Sequence, residues 1–296
     1  MFNTKRYLAI AGLFLRLCCD AAIGGEQVPL RRTLLFHGAE REYFVALPKN
    51  YHPETTYWPL IVVHGGGGHA RTNPKALAMR RKADELDLPA ILILTQFNRE
   101  DKQVSRFPVL GEGAFLKAVL EDVRSEYRLH SKILLNGYSM GGQFAHRFAL
   151  AHPEMVHACA PFAAGTWSTP DGRLLIEQYG EVRDPKAFLS SKENAVMVPD
   201  RLGNLFDQRT AEAACLLAAE NASDVPFLVM CGSLDPRYSI AVAFAASLRE
   251  AGFSVETGWP RTPHNAKSKR HTVEFEKYPD EAIRFFKKHT EGSVGP

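Results

Sequence analysis

The sequence predicts an α/β fold with a mostly parallel central sheet and helices on both faces. Short, entirely apolar runs alternate along the chain with longer amphipathic segments. One such run ends in a Gly-x-Ser-x-Gly motif at residues 137–141, and an earlier run ends in a glycine stretch at 65–68. Strands that are apolar on both faces are typical of a parallel sheet covered on both sides. Both motifs lie where a strand of that kind would end.

The elements follow in order along the chain. An opening hairpin is expected between residues 34 and 48, where two strand-like runs flank a His-Gly-Ala turn. A first helix is expected to begin at Asn73 and Pro74, because asparagine can cap a helix and proline suits its first turn. The remaining strands are expected at 60–63, 90–94, 133–136, 158–163, 226–231 and 253–257, and the remaining helices at 112–127, 142–150, 239–250 and 279–289.

One segment interrupts this alternation. Residues 166–207 are polar, contain three prolines and show no strong periodicity, and the segment is too long for a plain connection. In the predicted fold it is an insertion before the penultimate strand, at the carboxyl edge of the sheet where ligands bind. It is either a lid or substrate wall or a surface excursion. We expect one domain over residues 25–296 that carries this insertion.

The N-terminus has the pattern of a signal peptide. Lys5 and Arg6 precede an apolar run at 7–15, and small residues follow near Ala22. The run is shorter than the roughly 20 residues that a spanning helix needs, so no stable membrane span is expected. We expect residues 1–24 to be a signal peptide and the protein to be secreted or periplasmic. The alternative is an N-terminal arm that is either disordered or packed against the domain.

Charge and cysteine content argue against several other classes of protein. The formal net charge is +3 and the basic residues are scattered, so nucleic-acid binding is not expected. Cys159, Cys215 and Cys231 lack metal-ligand spacing, and two of them lie in apolar runs, so they are expected in the core. No metal and no cofactor is expected.

Ser139 is the candidate nucleophile. It is the serine of the Gly-Tyr-Ser-Met-Gly motif, between an apolar run and a segment with helical spacing. A sharp strand-to-helix turn at this position would expose the hydroxyl in a strained backbone conformation. Gly137 and Gly141 would avoid the side-chain clashes that such a turn creates. The motif therefore predicts a nucleophile elbow.

A nucleophilic serine needs a base and an acid that orients the base. Asp235 follows a buried strand and is the candidate acid; as the neighbour of a proline it is also compatible with a simple turn. Two candidate bases follow the last strand. His264 is preferred because it lies in the loop that leaves the strand, whereas His271 lies in a basic run typical of surface. The order Ser, Asp, His is the order of α/β-hydrolases.

Besides a base and an acid, catalysis by a serine needs a pair of backbone N–H groups that stabilise the negative oxygen of the tetrahedral intermediate. The glycine stretch lets the main chain approach a substrate closely. From this loop the preferred donor is the amide of Gly66, and the second choice is that of Gly67. Met140, the residue after the nucleophile, supplies the second donor. The stretch lacks the Gly-Lys-Ser/Thr ending of a phosphate-binding loop, which disfavours nucleotide binding.

Four segments carry a resemblance to a known family: 41–48, 59–66, the elbow at 137–141, and Gly-Ser-Leu-Asp at 232–235. The chain resembles the α/β-hydrolase superfamily and, within it, secreted esterases of the polyhydroxybutyrate depolymerase and feruloyl esterase type. The resemblance implies a serine esterase acting on a small-molecule or polymer-borne ester. A serine peptidase of prolyl-oligopeptidase type and a catalytically silent, hydrolase-like binding protein are the alternatives.

Substrate choice is less well defined by the sequence. Phe97, Tyr138, Trp167 and the loop at 96–108 are candidates for the lining of a substrate pocket, where aromatic side chains would suit an acyl or aryl group. Each is equally compatible with the core or with the surface.

Overall fold

The computed structural model describes residues 28–66, 68–97, 108, 111–177, 180–183, 216–261 and 272–291. Eleven strands lie in this part of the chain: β1 (Leu30–Phe36), β2 (Ala39–Ala46), β3 (Trp58–Val63), β4 (Ala90–Thr95), β5 (Ile133–Tyr138), β6 (Val156–Phe162), β7 (Thr166–Ser168), β8 (Leu174–Ile176), β9 (Gly180–Val182), β10 (Phe227–Met230) and β11 (Val255–Gly258). The predicted signal peptide at 1–24 lies outside the described residues and stays a prediction.

Eight of the strands form one sheet in the order β1-β2-β4-β3-β5-β6-β10-β11. β1 pairs antiparallel with β2, and β2 antiparallel with β4. All other neighbours in this sheet run parallel. Every residue of β3 and β4 is buried, which explains their continuous apolar sequence. The prediction of a mostly parallel sheet is confirmed.

Five α-helices accompany the sheet in the described residues: α1 (Pro74–Glu85), α2 (Glu112–Glu126), α3 (Met140–Ala151), α4 (Tyr238–Glu250) and α5 (Thr272–Glu291). Asn73 caps α1 as predicted, accepting a hydrogen bond from the Lys75 amide at 3.2 Å. α3 packs on β5 and β6, and α1 packs against α5. None of these helices is long and apolar enough to cross a bilayer.

The last helix begins earlier than the sequence predicts. The sequence predicts a start at Pro279, but α5 begins at Thr272 and contains Pro279. The proline lacks the N–H for one intrahelical hydrogen bond, and the helix continues through it. Packing of the C-terminal part of α5, where Tyr278, Ile283 and Phe286 are buried, stabilises the helix independently of this position.

The insertion contains short strands that the sequence does not predict. β7, β8 and β9 form a separate antiparallel sheet, and each strand has only three residues, too few to show a periodicity. Trp167 and Leu174 are fully buried, so the start of the insertion belongs to the core. Residues 184–215, including Cys215, lie outside the described residues, and the question of a lid stays open. Cys159 and Cys231 are buried free thiols, as expected of core residues.

Candidate active site

Ser139 is the single residue between β5 and α3. Its backbone has φ 55° and ψ −110°, a conformation that L-residues rarely adopt and that costs about 1–3 kcal/mol. Two main-chain hydrogen bonds hold it: its amide donates to the Phe162 oxygen at 2.8 Å, and its oxygen accepts from the Gln143 amide at 3.0 Å. The predicted strained turn is therefore present. The side chain is half-buried, at the point where the chain reverses.

The glycines around Ser139 are required by close backbone packing. A Cβ at Gly137 would overlap the Gly141 carbonyl oxygen, and a Cβ at Gly141 would overlap the Val63 carbonyl oxygen. A Cβ at Gly142 would lie 2.8 Å from the Phe162 oxygen, closer than real Cβ contacts. The elbow thus packs directly against the ends of β3 and β6. This agrees with the predicted role of Gly137 and Gly141 and adds Gly142 to it.

The glycine stretch after β3 lies beside the elbow. Val63, the last residue of β3, is in register with Gly137 of β5. A Cβ placed on Gly66 would lie 3.8 Å from the Cβ of Met140. The structure therefore brings together Gly66 and Met140, the two predicted oxyanion donors. Gly67, the second choice in this loop, lies outside the described residues.

Asp235 lies at the same edge of the sheet, in the turn that follows β10. The side chain is 5% exposed, and one carboxylate oxygen accepts a hydrogen bond from the Arg237 amide at 2.9 Å. Its main chain is fixed as well, because the Asp235 amide donates to Gly232 and the Tyr238 amide donates to Asp235. The predicted turn is therefore present, and the role of Asp235 as the acid stays a prediction.

Asp235 and the elbow affect each other electrostatically. Burial raises the pKa of the Tyr138 phenol to about 12, and the Asp235 charge adds to this rise. Burial also raises the pKa of the Cys231 thiol, again with a contribution from Asp235. Tyr138 immediately precedes the nucleophile, so the carboxylate lies close to the elbow. The phenol and the thiol therefore both stay neutral near pH 7.

Both candidate bases, His264 and His271, lie outside the described residues, so the choice between them stays a prediction. The structure does show where this segment starts. β11 is parallel to β10, and after β11 the chain continues through Pro260, whose oxygen accepts a hydrogen bond from the Ser233 amide at 2.8 Å. The segment that holds both histidines therefore leaves the sheet beside the Asp235 turn.

Two of the candidate pocket residues belong to the core. Trp167 has no exposed surface and stacks on Phe244 with ring centroids 4.5 Å apart. Phe97 is 1% exposed and packs edge-on against Phe144 at 4.6 Å. Tyr138 is half-buried, and the Lys75 ammonium lies 2.9 Å from the centre of its ring. Of the three aromatics, only Tyr138 is both adjacent to Ser139 and partly accessible.

A buried polar cluster on α3 was not found from the sequence. The Arg147 guanidinium is 1% exposed and donates to the Ser168 and Thr166 hydroxyls, both at 2.9 Å. The Thr166 hydroxyl in turn donates to the Gln143 side chain at 2.8 Å. These contacts attach β7, the first strand of the insertion, to the helix that follows the nucleophile. An arginine within an apolar helical segment was the available signal.

No protein-family profile matches the chain, and no curated protein sequence matches it. Solved structures do match. An S-formylglutathione hydrolase from Staphylococcus aureus is 16% identical with a TM-score of 0.56, and the match covers 87% of this chain and 97% of that one. A ferulic acid esterase is 20% identical with a TM-score of 0.56, covering 86% and 97%. The chain has the α/β-hydrolase fold.

A further match with the α/β-hydrolase fold is an acylaminoacyl peptidase from Pyrococcus horikoshii. It is 14% identical with a TM-score of 0.61, and the match covers 95% of this chain but 43% of the peptidase. At such low identities these similarities establish the fold and leave the reaction open. In α/β-hydrolases the nucleophile, acid and base follow one another in that chain order. This chain has the same order: Ser139 follows β5, Asp235 follows β10, and the segment 262–271 follows β11.

Proposed function

We propose that this protein is a serine hydrolase that cleaves carboxylic esters through an acyl-enzyme intermediate. The observation that carries the proposal is the conformation of Ser139, at φ 55° between β5 and α3. A strained non-glycine residue at a strand-to-helix turn is a cost that a purely structural turn does not need. The buried carboxylate of Asp235 at the same edge and the adjacent Gly66 and Met140 supply partners of the right chemical types.

The proposed reaction has two halves. In the first, the Ser139 Oγ attacks the ester carbonyl carbon while the base, His264 or its alternative His271, takes the hydroxyl proton. The carbonyl oxygen becomes an oxyanion, which the amides of Gly66 and Met140 stabilise. The intermediate expels the alcohol, which receives the proton from the base. In the second half, water attacks the acyl-serine in the same way and releases the acid.

Asp235 has an orienting role in this scheme. A carboxylate hydrogen-bonded to one ring nitrogen of the base selects the tautomer whose other nitrogen can accept the serine proton. It also stabilises the imidazolium that forms. Since Asp235 is 5% exposed, little water surrounds it, and a carboxylate there interacts with a nearby imidazolium more strongly than it would in water.

Ser139→Ala tests the proposal directly. We expect turnover of p-nitrophenyl acetate to fall by a factor of about 10³ or more, because the variant lacks the attacking oxygen. Ser125→Ala is the matched control, since Ser125 is exposed on α2 and its hydroxyl donates to Asp122 within the same helix. Unchanged turnover in Ser139→Ala would refute the assignment.

The two candidate bases are separated by single variants. We expect His264→Ala to lower kcat by about 10³-fold, because the serine proton then has no acceptor, and His271→Ala to leave kcat near the wild-type value. The reverse pattern would move the role of the base to His271. Steady-state kinetics on one ester decides between them.

An amide substrate is the second candidate, and the structural match to an acylaminoacyl peptidase over 95% of this chain favours it. The same groups would cleave an acyl–peptide bond, with the base protonating the leaving amine. A panel of acyl esters of increasing length, aryl esters, a thioester and peptide p-nitroanilides measures the preference. We expect kcat/KM to be highest for an ester, and a peptide substrate ahead of all esters would favour the peptidase.

A further inference from the structure

The side chain of Gln96 connects the two ends of the glycine loop. Gln96 follows β4, the neighbour of β3 in the sheet. Its Oε1 accepts a hydrogen bond from the Ala70 amide at 2.9 Å, and its Nε2 lies 3.3 Å from Nε2 of His64. His64 begins the loop and Ala70 lies beyond its last glycine. One side chain therefore contacts the loop on both sides of Gly65 and Gly66.

The hydrogen-bond roles in this group are mutually consistent. A backbone amide can only donate, so the Gln96 oxygen must face Ala70 and the Gln96 NH₂ group must face His64. Nε2 of His64 then accepts, and the proton of the neutral ring is on Nδ1. Nδ1 lies 2.8 Å from the Gly65 carbonyl oxygen, which can only accept. Gln96 thus selects the one neutral tautomer of His64 that can donate to Gly65.

The loop folds tightly over this imidazole. His64 is 2% exposed, and a Cβ on Gly68 would lie 3.4 Å from its Nδ1. The Gly68 amide donates to the Gly65 oxygen at 3.0 Å. The Gly65 oxygen therefore accepts two hydrogen bonds, one from the ring and one from the main chain, and its direction is fixed.

Fixing the Gly65 oxygen also fixes the Gly66 amide. The two groups belong to one peptide unit, and in a planar trans peptide the C=O and the N–H point in opposite directions. With the oxygen held towards His64 and Gly68, the Gly66 N–H is directed away from them. Gly66 also lies beside Met140, since a Cβ on it would be 3.8 Å from the Met140 Cβ.

Gln96 is itself held by its main chain. Its amide donates to the Glu42 oxygen at 3.2 Å, and its carbonyl oxygen accepts from the Arg41 guanidinium at 3.0 Å. Arg41 in turn pairs with Glu112, whose side chain is fully buried, at 2.8 Å. The side chain of Gln96 therefore extends from a rigid anchor, which limits its freedom to follow movements of the loop.

We propose that Gln96 is a positioning residue for the oxyanion hole, acting through the tautomer of His64 and the carbonyl of Gly65 on the direction of the Gly66 amide. This inference rests on the proposed function, because it gives the Gly66 amide a role in ester hydrolysis. Gln96 itself touches neither the substrate nor the reacting atoms. The oxyanion is stronger as an acceptor than the ground-state carbonyl, so misdirecting the donor affects the transition state more than substrate binding.

Two variants of Gln96 and one control test the inference. Gln96→Met keeps the length of the side chain and removes its hydrogen bonds with Ala70 and His64, together with the one that Nε2 donates to the Phe97 carbonyl oxygen at 3.2 Å. Gln96→Glu keeps the acceptor for Ala70 and places a carboxylate at Nε2 of His64, which favours an imidazolium that still donates to Gly65. Thr95→Val is the control, because Thr95 is the preceding residue, is fully buried, and its hydroxyl has no hydrogen-bond partner among the described residues.

Kinetics provides the first readout. We expect Gln96→Met to lower kcat about tenfold to a hundredfold with KM within about twofold, a smaller loss than removal of a donor itself. Gln96→Glu should retain more of kcat than Gln96→Met, and Thr95→Val should match the wild type. A rise in KM with unchanged kcat, or equal losses in both Gln96 variants that follow their melting temperatures, would overturn the inference.

Nitrogen-15 NMR of histidine-labelled protein provides a readout that does not depend on activity. We expect His64 to show one neutral tautomer protonated at Nδ1 in the wild type and a mixture in Gln96→Met. An unchanged tautomer in Gln96→Met would overturn the inference even if kcat falls. If the tautomer responds as expected but the wild type shows no Ser139-dependent turnover, the proposed function has failed, and the catalytic role of Gln96 falls with it.

Discussion

The amino ends of the strands form one edge of the central sheet, and the carboxyl ends form the other. Histidines lie at both edges, but their contacts differ. At the amino edge, Trp58 at the start of β3 lies between His130 and His157, with ring centroids 4.0 and 4.4 Å apart. Nε2 of His157 also donates to the His289 carbonyl oxygen at 3.0 Å. These imidazoles have aromatic and main-chain partners, as in a packed structural cluster.

At the carboxyl edge, by contrast, the backbone is the distinguishing feature. Glycines let β3, β5 and β6 meet without intervening side chains, and Ser139 adopts a positive φ. His64 is buried there as well, yet it holds a glycine carbonyl instead of stacking on a tryptophan. The comparison teaches that histidine and serine content does not locate a site. The backbone is more informative: glycines let the ends of β3, β5 and β6 meet, and Ser139 between β5 and α3 combines φ 55° with ψ −110°.

The largest expected effect comes from adding a side chain at the carboxyl edge. In Gly141→Ala the new Cβ would overlap the Val63 oxygen and lie 2.9 Å from the His64 oxygen. We expect the free energy of unfolding to fall by about 3 kcal/mol and the activity to be lost. Urea unfolding followed by circular dichroism measures the first.

Gly252→Ala is the control for backbone strain alone, since Gly252 has φ +87° and no described residue places an atom within 4 Å of its Cβ position. Its cost should be about 1 kcal/mol, the penalty for alanine at positive φ. Equal losses in Gly141→Ala and Gly252→Ala would mean that close packing at the elbow is unimportant.

The second-largest effect is expected at Asp235, which follows β10, and the control is a residue that precedes the same strand. Asp235→Asn should lower kcat by about 10³–10⁴-fold, because an amide no longer selects the tautomer of the base or stabilises its charge. The fold should persist, since asparagine can still accept from the Arg237 amide. Asp224→Asn, an exposed residue just before β10, should leave kcat unchanged. Similar kinetics for both variants would contradict the role of Asp235.

A smaller effect is expected at the amino edge. Trp58→Phe removes part of a ring that is 7% exposed, stacks on His130 and packs at a tilt against His157. The free energy of unfolding should fall by about 1–2 kcal/mol, while kcat/KM for an ester stays at the wild-type value. A loss of kcat/KM beyond that explained by the unfolded fraction would show that the two edges are coupled.

The smallest effect concerns pH. Burial, with a contribution from His157, lowers the pKa of His130, so the folded state holds this ring neutral at a pH where the unfolded chain binds a proton. Stability is therefore full above the unfolded pKa of about 6.5 and is lost as the pH falls from there towards the folded pKa. The fully buried His146, whose pKa is also lowered by burial, contributes in the same direction.

His130→Gln checks this contribution. The variant should have a shallower loss of stability between pH 7 and pH 5 than the wild type, measured by urea unfolding at each pH. The difference should be small, because His130 is only partly buried and solvent reduces the effect. A steeper loss in the variant would give the wrong sign and contradict the assignment.

Features encoded by neighbouring residues could be predicted from the sequence. The elbow at Ser139 needs glycines one or two positions away, and the cap of α1 needs Asn73 followed by Pro74. The turn at Asp235 could be predicted because an apolar strand ends a few residues before it. In each case the signal and the structure lie within a few residues, so local backbone physics is sufficient.

Features that join distant residues could not be predicted. Gln96 and His64 are 32 positions apart, and their contact depends on the register of β4 against β3. Arg147 meets Thr166 only because the insertion folds back on α3. Trp167 and Phe97 carry no sequence signal that separates a pocket wall from the core, since an aromatic ring suits both. The choice between His264 and His271 likewise depends on three-dimensional placement.

The central claim is that the carboxyl edge activates Ser139. Labelling with a fluorophosphonate probe, followed by peptide mapping in a mass spectrometer, tests it most directly, because only an activated serine reacts quickly. We predict modification of Ser139 in the native protein, loss of labelling in 6 M urea if the protein unfolds, and no labelling of Ser139→Ala. Native protein that leaves Ser139 unmodified, or that labels at another serine equally in Ser139→Ala, would contradict the account.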